Sequence, residues 1–549
     1  MNLIPKKIYT QAFVFFILLS LFVVTVEMRP GRVYFLLQML LFQDSVLDLL
    51  LYLAVFGFTV WSLQVFILNK SKAIRYSYLL LFWVFFTISL SYRIISGYNF
   101  SYTDAQTALN NASFLQAALT NYTFPVILAL MGATLTVAIL YLTANRTRIN
   151  YKAWHAIVLL PTVLLGYWYA NRSLGVIDDL PAFYRVPIST LLVHNHTLPI
   201  GNRQQVQARA TATATGVKHL FMIVDESITG SALSLNGNPE KTTPFLETAK
   251  DSIINFGIAN SYTNYSAGSN IALMSGVQLS QLPDKQGLAL TRPSIFQYAQ
   301  AAGYTTYFVD AQIGLGALQN YVSLADLKYV DHFIQPSDQN QDLPYYLRDY
   351  VVADLLLQLT KSQKKVFVYV NKAGAHWPYA RTYNSDSTIF SPTLSEKSML
   401  QDPVLSRNTY YNSIRWAVDG FWKKLLPGIS ATDSTVAIYT SDHGQDLSGD
   451  GISIAHASIN NTAAIEANVP LWVLDKSKYT SSYTIPKPNQ QSHQQIFPTL
   501  LLFLGYQPGF IQQQYGPTLF YSGKPNRYFL TGDIFGRGPV SLRPFDKQP

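Results

Sequence analysis

Five long apolar stretches in the first third of the chain decide what can be built there. They run about 9–27, 46–69, 76–97, 124–143 and 154–171. A helix needs about 20 apolar residues to cross hydrocarbon, and every backbone amide in lipid must be satisfied within its own segment. The pattern predicts a five-helix transmembrane domain over residues 1–171. A further run, VYFLLQMLLF at 33–42, is too short to span; it reads as an interfacial helix or as part of the second span.

Loop charges give the orientation. Lys6 and Lys7, then Lys70, Lys72 and Arg75, then Arg146, Arg148 and Lys152 occupy alternate loops, while Arg29 and Arg32 only weaken the asymmetry. Cytoplasmic loops collect such cations. An odd number of spans then puts the rest of the chain on the far side, which in a Gram-negative bacterium is the periplasm. The predicted location is therefore the inner membrane, multi-pass. The loop at 97–124 shares the far side and carries Asp104, Asn110, Asn111 and Gln116. It reads as a solvated connector or as a polar patch for a lipid head group.

Only 13% of the residues are charged, roughly half of what a soluble protein carries. The apolar excess sits in the first third, leaving room for a soluble domain of about 300 residues. A net charge of +9 is met by loop cations and surface lysines, or by attraction to anionic lipid. No dense basic cluster occurs, so nucleic acid is not an expected partner. The absence of cysteine excludes disulfides and thiolate metal sites.

Residues 172–216 read as a juxtamembrane linker with Pro181, Pro187 and Pro199. Its last part, RQQVQARATATATG at 203–216, has the composition of an exposed tether. The soluble domain is assigned to 217–549. There, short runs rich in β-branched and aromatic residues occur at 219–225, 252–259, 304–311, 365–371, 434–442 and 469–475. They alternate with helical patterns at 294–303, 346–363 and 408–426. This predicts an α/β fold with a mostly parallel central sheet.

Ligands of such sheets bind at the carboxyl ends of the strands. Asp225 and Glu226 end the first run, His376 follows the fourth, and Asp442 and His443 end the fifth. Carboxylates with imidazole suit zinc best, with manganese or magnesium as alternatives. Ser266 lies in NYSAGSNIALMSG, a turn entering a helix, where backbone N–H groups favour an anion. It reads as a helix cap or, beside a metal, as a nucleophile. His155, His194, His196 and His332 lack motif context, and His493 reads as structural.

These residues carry a resemblance to the alkaline phosphatase/sulfatase superfamily. SAGSNIALMSG is similar to the sulfatase signature C/S-x-P-S-R-x-x-L-x-T-G, with Gly268 for the proline and Asn270 for the arginine. Within that superfamily the chain resembles bacterial phosphoethanolamine transferases that modify lipid A and related glycans. VDESITGSALSLNGNPEKTTPFL (224–246), NKAGAHWPY (371–379), YTSDHGQDLSGDGISIAHA (439–457), QSHQQIFPTLL (491–501) and TDAQTALNN (103–111) are similar to its motifs, in order. The resemblance implies Glu226, Ser266, Asp442 and His443 as ligands of one or two zinc ions, with Asp225 a candidate extra ligand because it replaces a glycine. It implies Ser266 as nucleophile, His376 and His456 as phosphate-side catalytic groups, and Asn110 as a lipid-loop residue. The implied partners are phosphatidylethanolamine as donor and lipid A or another glycan as acceptor. Gln445 stands where glutamate is usual. Alternative functions on the same fold are a non-catalytic lipid or lipopolysaccharide sensor, a glycerophosphate transferase and a phosphodiesterase.

Overall fold

The computed structural model of the protein describes residues 6–28, 46–96, 99–100, 105, 109, 122–146, 148–149, 151, 164 and 180–195. It also describes 203–546 apart from 209, 211–215, 315, 317, 341, 397–401, 431–433, 448–455, 458–461, 524–526 and 538–539. The chain divides into two compact units, Met1–Thr197 and Leu198–Pro549.

In the first unit, helix α1 (Lys6–Phe22) continues through a wider turn to Met28. It is followed by α2 (Val46–Ile67), α3 (Lys72–Ser96), α4 (Thr123–Arg146) and α5 (Ala182–Asn195). Among the described residues, four segments are long and apolar enough to cross a membrane: Thr10–Met28, Leu49–Ile67, Lys72–Ile95 and Thr123–Asn145. Phe13, Phe124, Met131 and Leu135 are exposed on these helices, the pattern expected where lipid is the solvent. The fifth predicted span, 154–171, lies outside the described residues, as does Asn110. Polar groups tie α5 to its neighbours. The Glu27 carboxylate accepts the N–H of Ala182 at 2.7 Å, and Arg185 donates to Ser89 Oγ and to the carbonyl of Leu180. A carboxylate is well placed at a helix N-terminus, where unpaired N–H groups concentrate positive charge.

The second unit is built on a seven-stranded sheet in the order β2-β7-β6-β1-β5-β3-β4. The strands are β1 (His219–Asp225), β2 (Ile254–Asn260), β3 (Thr305–Asp310), β4 (His332–Ile334), β5 (Val366–Asn371), β6 (Thr435–Ser441) and β7 (Asn468–Asp475). β6, β1, β5, β3 and β4 run parallel, and β7 is antiparallel to β6 and β2. All six predicted runs are strands. Side chains alternate between the two faces, as the two-residue period requires. Leu220, Met222 and Val224 face one core with α6 (Ser266–Ser275), α7 (Ile295–Ala301) and α11 (Ile496–Phe503). Phe221 and Ile223 face the other, with α8 (Arg348–Thr360), α9 (Pro403–Ile414) and α10 (Phe421–Gly428). A sheet covered on both faces explains why the strands read as nearly unbroken apolar runs. β4 and a small hairpin, β8 (Tyr528–Gly532) with β9 (Val540–Pro544), were not evident from sequence.

The tether reading fails for its first residues. Arg203 is buried and ion-paired with Asp326, and it donates to the carbonyls of Ala289 and Arg292, each at 2.9 Å. Gln204 bonds through its backbone to Thr291 and Gln297, while Val206 and Ala208 pack on the core. One arginine with a buried carboxylate partner outweighs the polar composition around it.

Candidate active site

Parallel alignment brings the ends of β1, β3, β5 and β6 to one edge. Asp225 stands beside Ser441 in register, Val224 beside Asn371, and Asp310 beside Asn371. Glu226 and Asp442 are the next residues along β1 and β6. Ser227 then turns the chain sharply with φ of 64°, a region costly for a residue with a side chain. Three bonds hold it there: its N–H donates to Asp442 Oδ1 (2.9 Å), its hydroxyl donates to Glu226 Oε1 (2.7 Å), and its carbonyl accepts from Tyr410 Oη (2.7 Å).

Ser266 is the first residue of α6, and it does not cap that helix: the cap position is Tyr265, with no side-chain capping bond. Its hydroxyl lies 3.2 Å from His443 Nε2 and 3.4 and 3.3 Å from the two Glu226 oxygens. The turn before it is held by Ser269, whose hydroxyl bonds the backbone N–H, carbonyl and side chain of Thr263. Gly268 is required here: a Cβ would stand 2.7 Å from atoms of Thr263 and Tyr265. Asn270, at the signature's arginine position, is held by Tyr369 Oη (3.0 Å) and donates to the Ser266 carbonyl (3.1 Å).

The remaining groups are oriented just as firmly. His443 Nδ1 faces the Gly444 carbonyl at 2.9 Å, which fixes the N–H on that nitrogen and turns the Nε2 lone pair toward the cluster. Nε2 stands 3.6 Å from Glu226 Oε1 and 3.7 Å from Asp442 Oδ2. Asp442 Oδ1 accepts from the N–H groups of Ser227 and His443, but Oδ2 is buried with no hydrogen-bond partner. One donor atom from each of Glu226, Asp442 and His443 falls within 4.8 Å of the others, and all three residues are buried.

Burial, then the charge of Glu226, push the Asp442 carboxyl up to about 8. Burial opposes charging of His443, but Asp442 and Glu226 outweigh it and hold the imidazole at about 9. Burial likewise opposes ionisation of Glu226, yet His443 keeps its carboxyl well below the usual range. Two carboxylates and an imidazole crowded in a buried space, with one oxygen unpartnered, are a donor set that fits a zinc ion. Glu226, Asp442 and His443 would hold it, with the Ser266 hydroxyl alongside.

His456 stacks on His443 with ring centroids 4.3 Å apart, and its Nδ1 meets Gln445 Oε1 at 3.3 Å. Gln445, a departure from the usual glutamate, thus positions an imidazole. His376 Nδ1 faces the Trp377 carbonyl at 2.6 Å, and its charge is felt at Glu226. Burial lowers the affinity of both histidines for protons. His493 lies apart, with Nε2 2.9 Å from Thr440 Oγ1. Burial holds its imidazole down at about 3, against an ordinary 6.5, so folding favours its neutral form. That contribution to stability is complete above pH 6.5 and is lost as pH falls toward 3, at up to about 1.4 kcal/mol per pH unit. The thermal midpoint of the full chain should therefore fall more steeply with acid in the wild type than in His493→Gln. Equal slopes would contradict this assignment.

Asp225 does not join the donor set. Its Oδ1 accepts the Glu226 N–H at 3.0 Å, and its Oδ2 accepts from Lys372 Nζ (2.5 Å) and Tyr439 Oη (2.6 Å). Both oxygens are engaged, and Lys372 balances the charge, so Asp225 stands outside the Glu226–Asp442–His443 group. Lys372 is fully buried, donates also to the Ala417 carbonyl, and lies 3.6 Å from Asp349. Asp349 in turn accepts the N–H groups of Ala373 and Gly374, which lead to His376. Sequence reading missed this ion cluster and also Gln312, whose amide donates to Glu226 Oε2 at 2.7 Å. Removing one member of a buried pair typically costs about 3–5 kcal/mol. Lys372→Met should lower stability by that amount in denaturant titration, and Asp225→Asn in the same chain should recover part of it.

Residues 218–506 match the sulfatase family model, and the chain belongs to that family. Within it, the chain is similar to enzymes named phosphoethanolamine transferase. It is 23% identical to EptC of Escherichia coli over 425 residues, covering 71% of this chain and 72% of EptC. It is 25% identical to EptA of Salmonella typhimurium over 313 residues, covering 53% of this chain and 54% of EptA. Among solved structures, the integral membrane lipooligosaccharide phosphoethanolamine transferase A of Neisseria meningitidis superposes with a TM-score of 0.64. That match has 17% identity and covers 94% of this chain and 99% of that one. The periplasmic domain of Escherichia coli EptC, solved in complex with zinc, superposes at 0.51 with 16% identity, covering 64% of this chain and 98% of that domain.

Proposed function

We propose that the protein is an inner-membrane phosphoethanolamine transferase whose second unit, Leu198–Pro549, works in the periplasm. It would take phosphoethanolamine from phosphatidylethanolamine onto Ser266 and pass it to lipid A or another surface glycan. The observation that carries this reading is the Ser266 hydroxyl, free of any capping role, 3.2 Å from His443 Nε2 and 3.3 Å from Glu226 Oε2. Similarity to named phosphoethanolamine transferases supports the choice of head group.

Ser266 passes its hydroxyl proton to neutral His376 or His456 as its oxygen bonds to phosphorus. The bond from phosphorus to the diacylglycerol oxygen breaks, and that oxygen takes a proton from His376 or His456. The acceptor hydroxyl then gives its proton to the same histidine as its oxygen attacks that phosphorus, the bond to Ser266 breaks, and the Ser266 oxygen takes that proton. A bound zinc ion would supply Lewis acidity, favouring the serine alkoxide and offsetting charge on the phosphoryl oxygens. Asn110 is assigned to the lipid-facing loop on sequence grounds alone.

The test uses the full-length protein with phosphatidylethanolamine labelled in its head group. Release of diacylglycerol with label on lipid A is the expected result. Label released only to water would make the protein a phosphodiesterase. No cleavage, with metal bound, would favour a sensor.

A further inference from the structure

Two arginines beside the donor cluster hold no carboxylate, in contrast to three other arginines of this unit. Arg203, Arg527 and Arg537 each hold a carboxylate. Arg348 and Arg381 form no ion pair among the described residues, although both are half-buried. Their guanidinium carbons lie 5.0 and 4.3 Å from the centre of one ring, that of Tyr345. Tyr345 is fixed by its hydroxyl, which donates to the Ala373 carbonyl at 3.1 Å. Burial, and to a smaller extent the neighbouring Arg381, lower the proton affinity of Arg348. The Nε–H group of each is buried with no hydrogen-bond partner. A buried donor without a partner costs desolvation energy that an anionic ligand accepting from it would offset.

The pair adjoins the site. Arg348 donates to the carbonyls of Ala311 (3.2 Å) and Gln312 (2.9 Å), and the Gln312 side chain reaches Glu226. Arg381 Nη2 lies 3.5 Å from His376 Nδ1 and from the Trp377 carbonyl. Two planar cations stacked on one ring, with forked donors left over, match the geometry of a phosphate dianion.

We infer that Arg348, Arg381 and Tyr345 form an anion subsite, separate from the Glu226–Asp442–His443 cluster, that takes a phosphate group. Resting on the transferase reading, we assign that phosphate to the acceptor. The group being transferred is handled at Ser266, so a second anionic site serves a second phosphate and favours acceptors that carry one.

The binding claim is tested without turnover. Full-length protein is stripped of metal by chelation and titrated with inorganic phosphate, followed by phosphorus NMR. Wild type should bind one phosphate per chain, and Arg381→Met should weaken it about tenfold or more. Arg381→Lys, which keeps the charge and loses the fork, should fall between them. No binding by the wild type, or equal binding by Arg381→Met, overturns the subsite. The acceptor assignment is tested with zinc-loaded protein and phosphatidylethanolamine, comparing lipid A with its dephosphorylated form. Arg381→Met should lower the ratio of their kcat/KM values about tenfold. An unchanged ratio overturns that assignment. A wild type that cleaves no donor sinks the transferase reading and the acceptor assignment together, while the phosphate titration still decides the subsite.

Discussion

Ser266→Ala should lower transfer of phosphoethanolamine by about 10³-fold or more, with the loss in kcat and KM for the donor little changed. The reason is geometric. Ser266 opens α6 but gives no capping bond, so deleting its hydroxyl leaves the helix intact. What is lost is a hydroxyl within 3.4 Å of both Glu226 oxygens and 3.2 Å of His443 Nε2. When a nucleophile acts together with its neighbours, removing it alone forfeits most of their joint effect. The check is steady-state kinetics on labelled donor with both proteins at equal metal content. Transfer within a few-fold of wild type would assign the nucleophile elsewhere.

Asp442→Asn should weaken metal binding by more than about 100-fold, beyond what loss of a supporting contact causes. Asp442 Oδ1 is taken by two backbone N–H groups, and only Oδ2 is left unpartnered. The amide keeps the size of the side chain but offers one neutral oxygen in place of an anionic pair. A neutral group also removes charge that a cation would balance between Glu226 and His443. Elemental analysis after dialysis should find wild type loaded and the variant empty, with activity partly returned by excess zinc. His443→Ala should behave alike. A fully loaded Asp442→Asn protein would show that the cation sits elsewhere.

Much of this arrangement was legible in the sequence because it depends on period and position. The six apolar runs, alternating with helical patterns, pointed to a sheet covered on both faces, and parallel strands deliver their last residues to one edge. Glu226, Asp442 and His443 follow from that rule, and Ser266 from the turn before a helix. What escaped depends on pairings over long separations. Nothing near Asp225 announces Lys372, which follows a different strand, β5, and neutralises it. Likewise, the Ala/Thr composition of 203–216 conceals Arg203, whose partner Asp326 is more than a hundred residues away. β4, with three residues, is too short for a two-residue period to register. Gln312 and Gln445 gave no signal, since an amide becomes informative only when its partners, Glu226 and His456, are known.

Peptide mapping by mass spectrometry, after rapid acid quench of zinc-loaded full-length protein mixed with phosphatidylethanolamine and no acceptor, tests the central claim most directly. The account predicts a phosphoethanolamine adduct on the peptide containing Ser266, which disappears when acceptor is added. An adduct on a different side chain, or product formation with that peptide never modified, would contradict it.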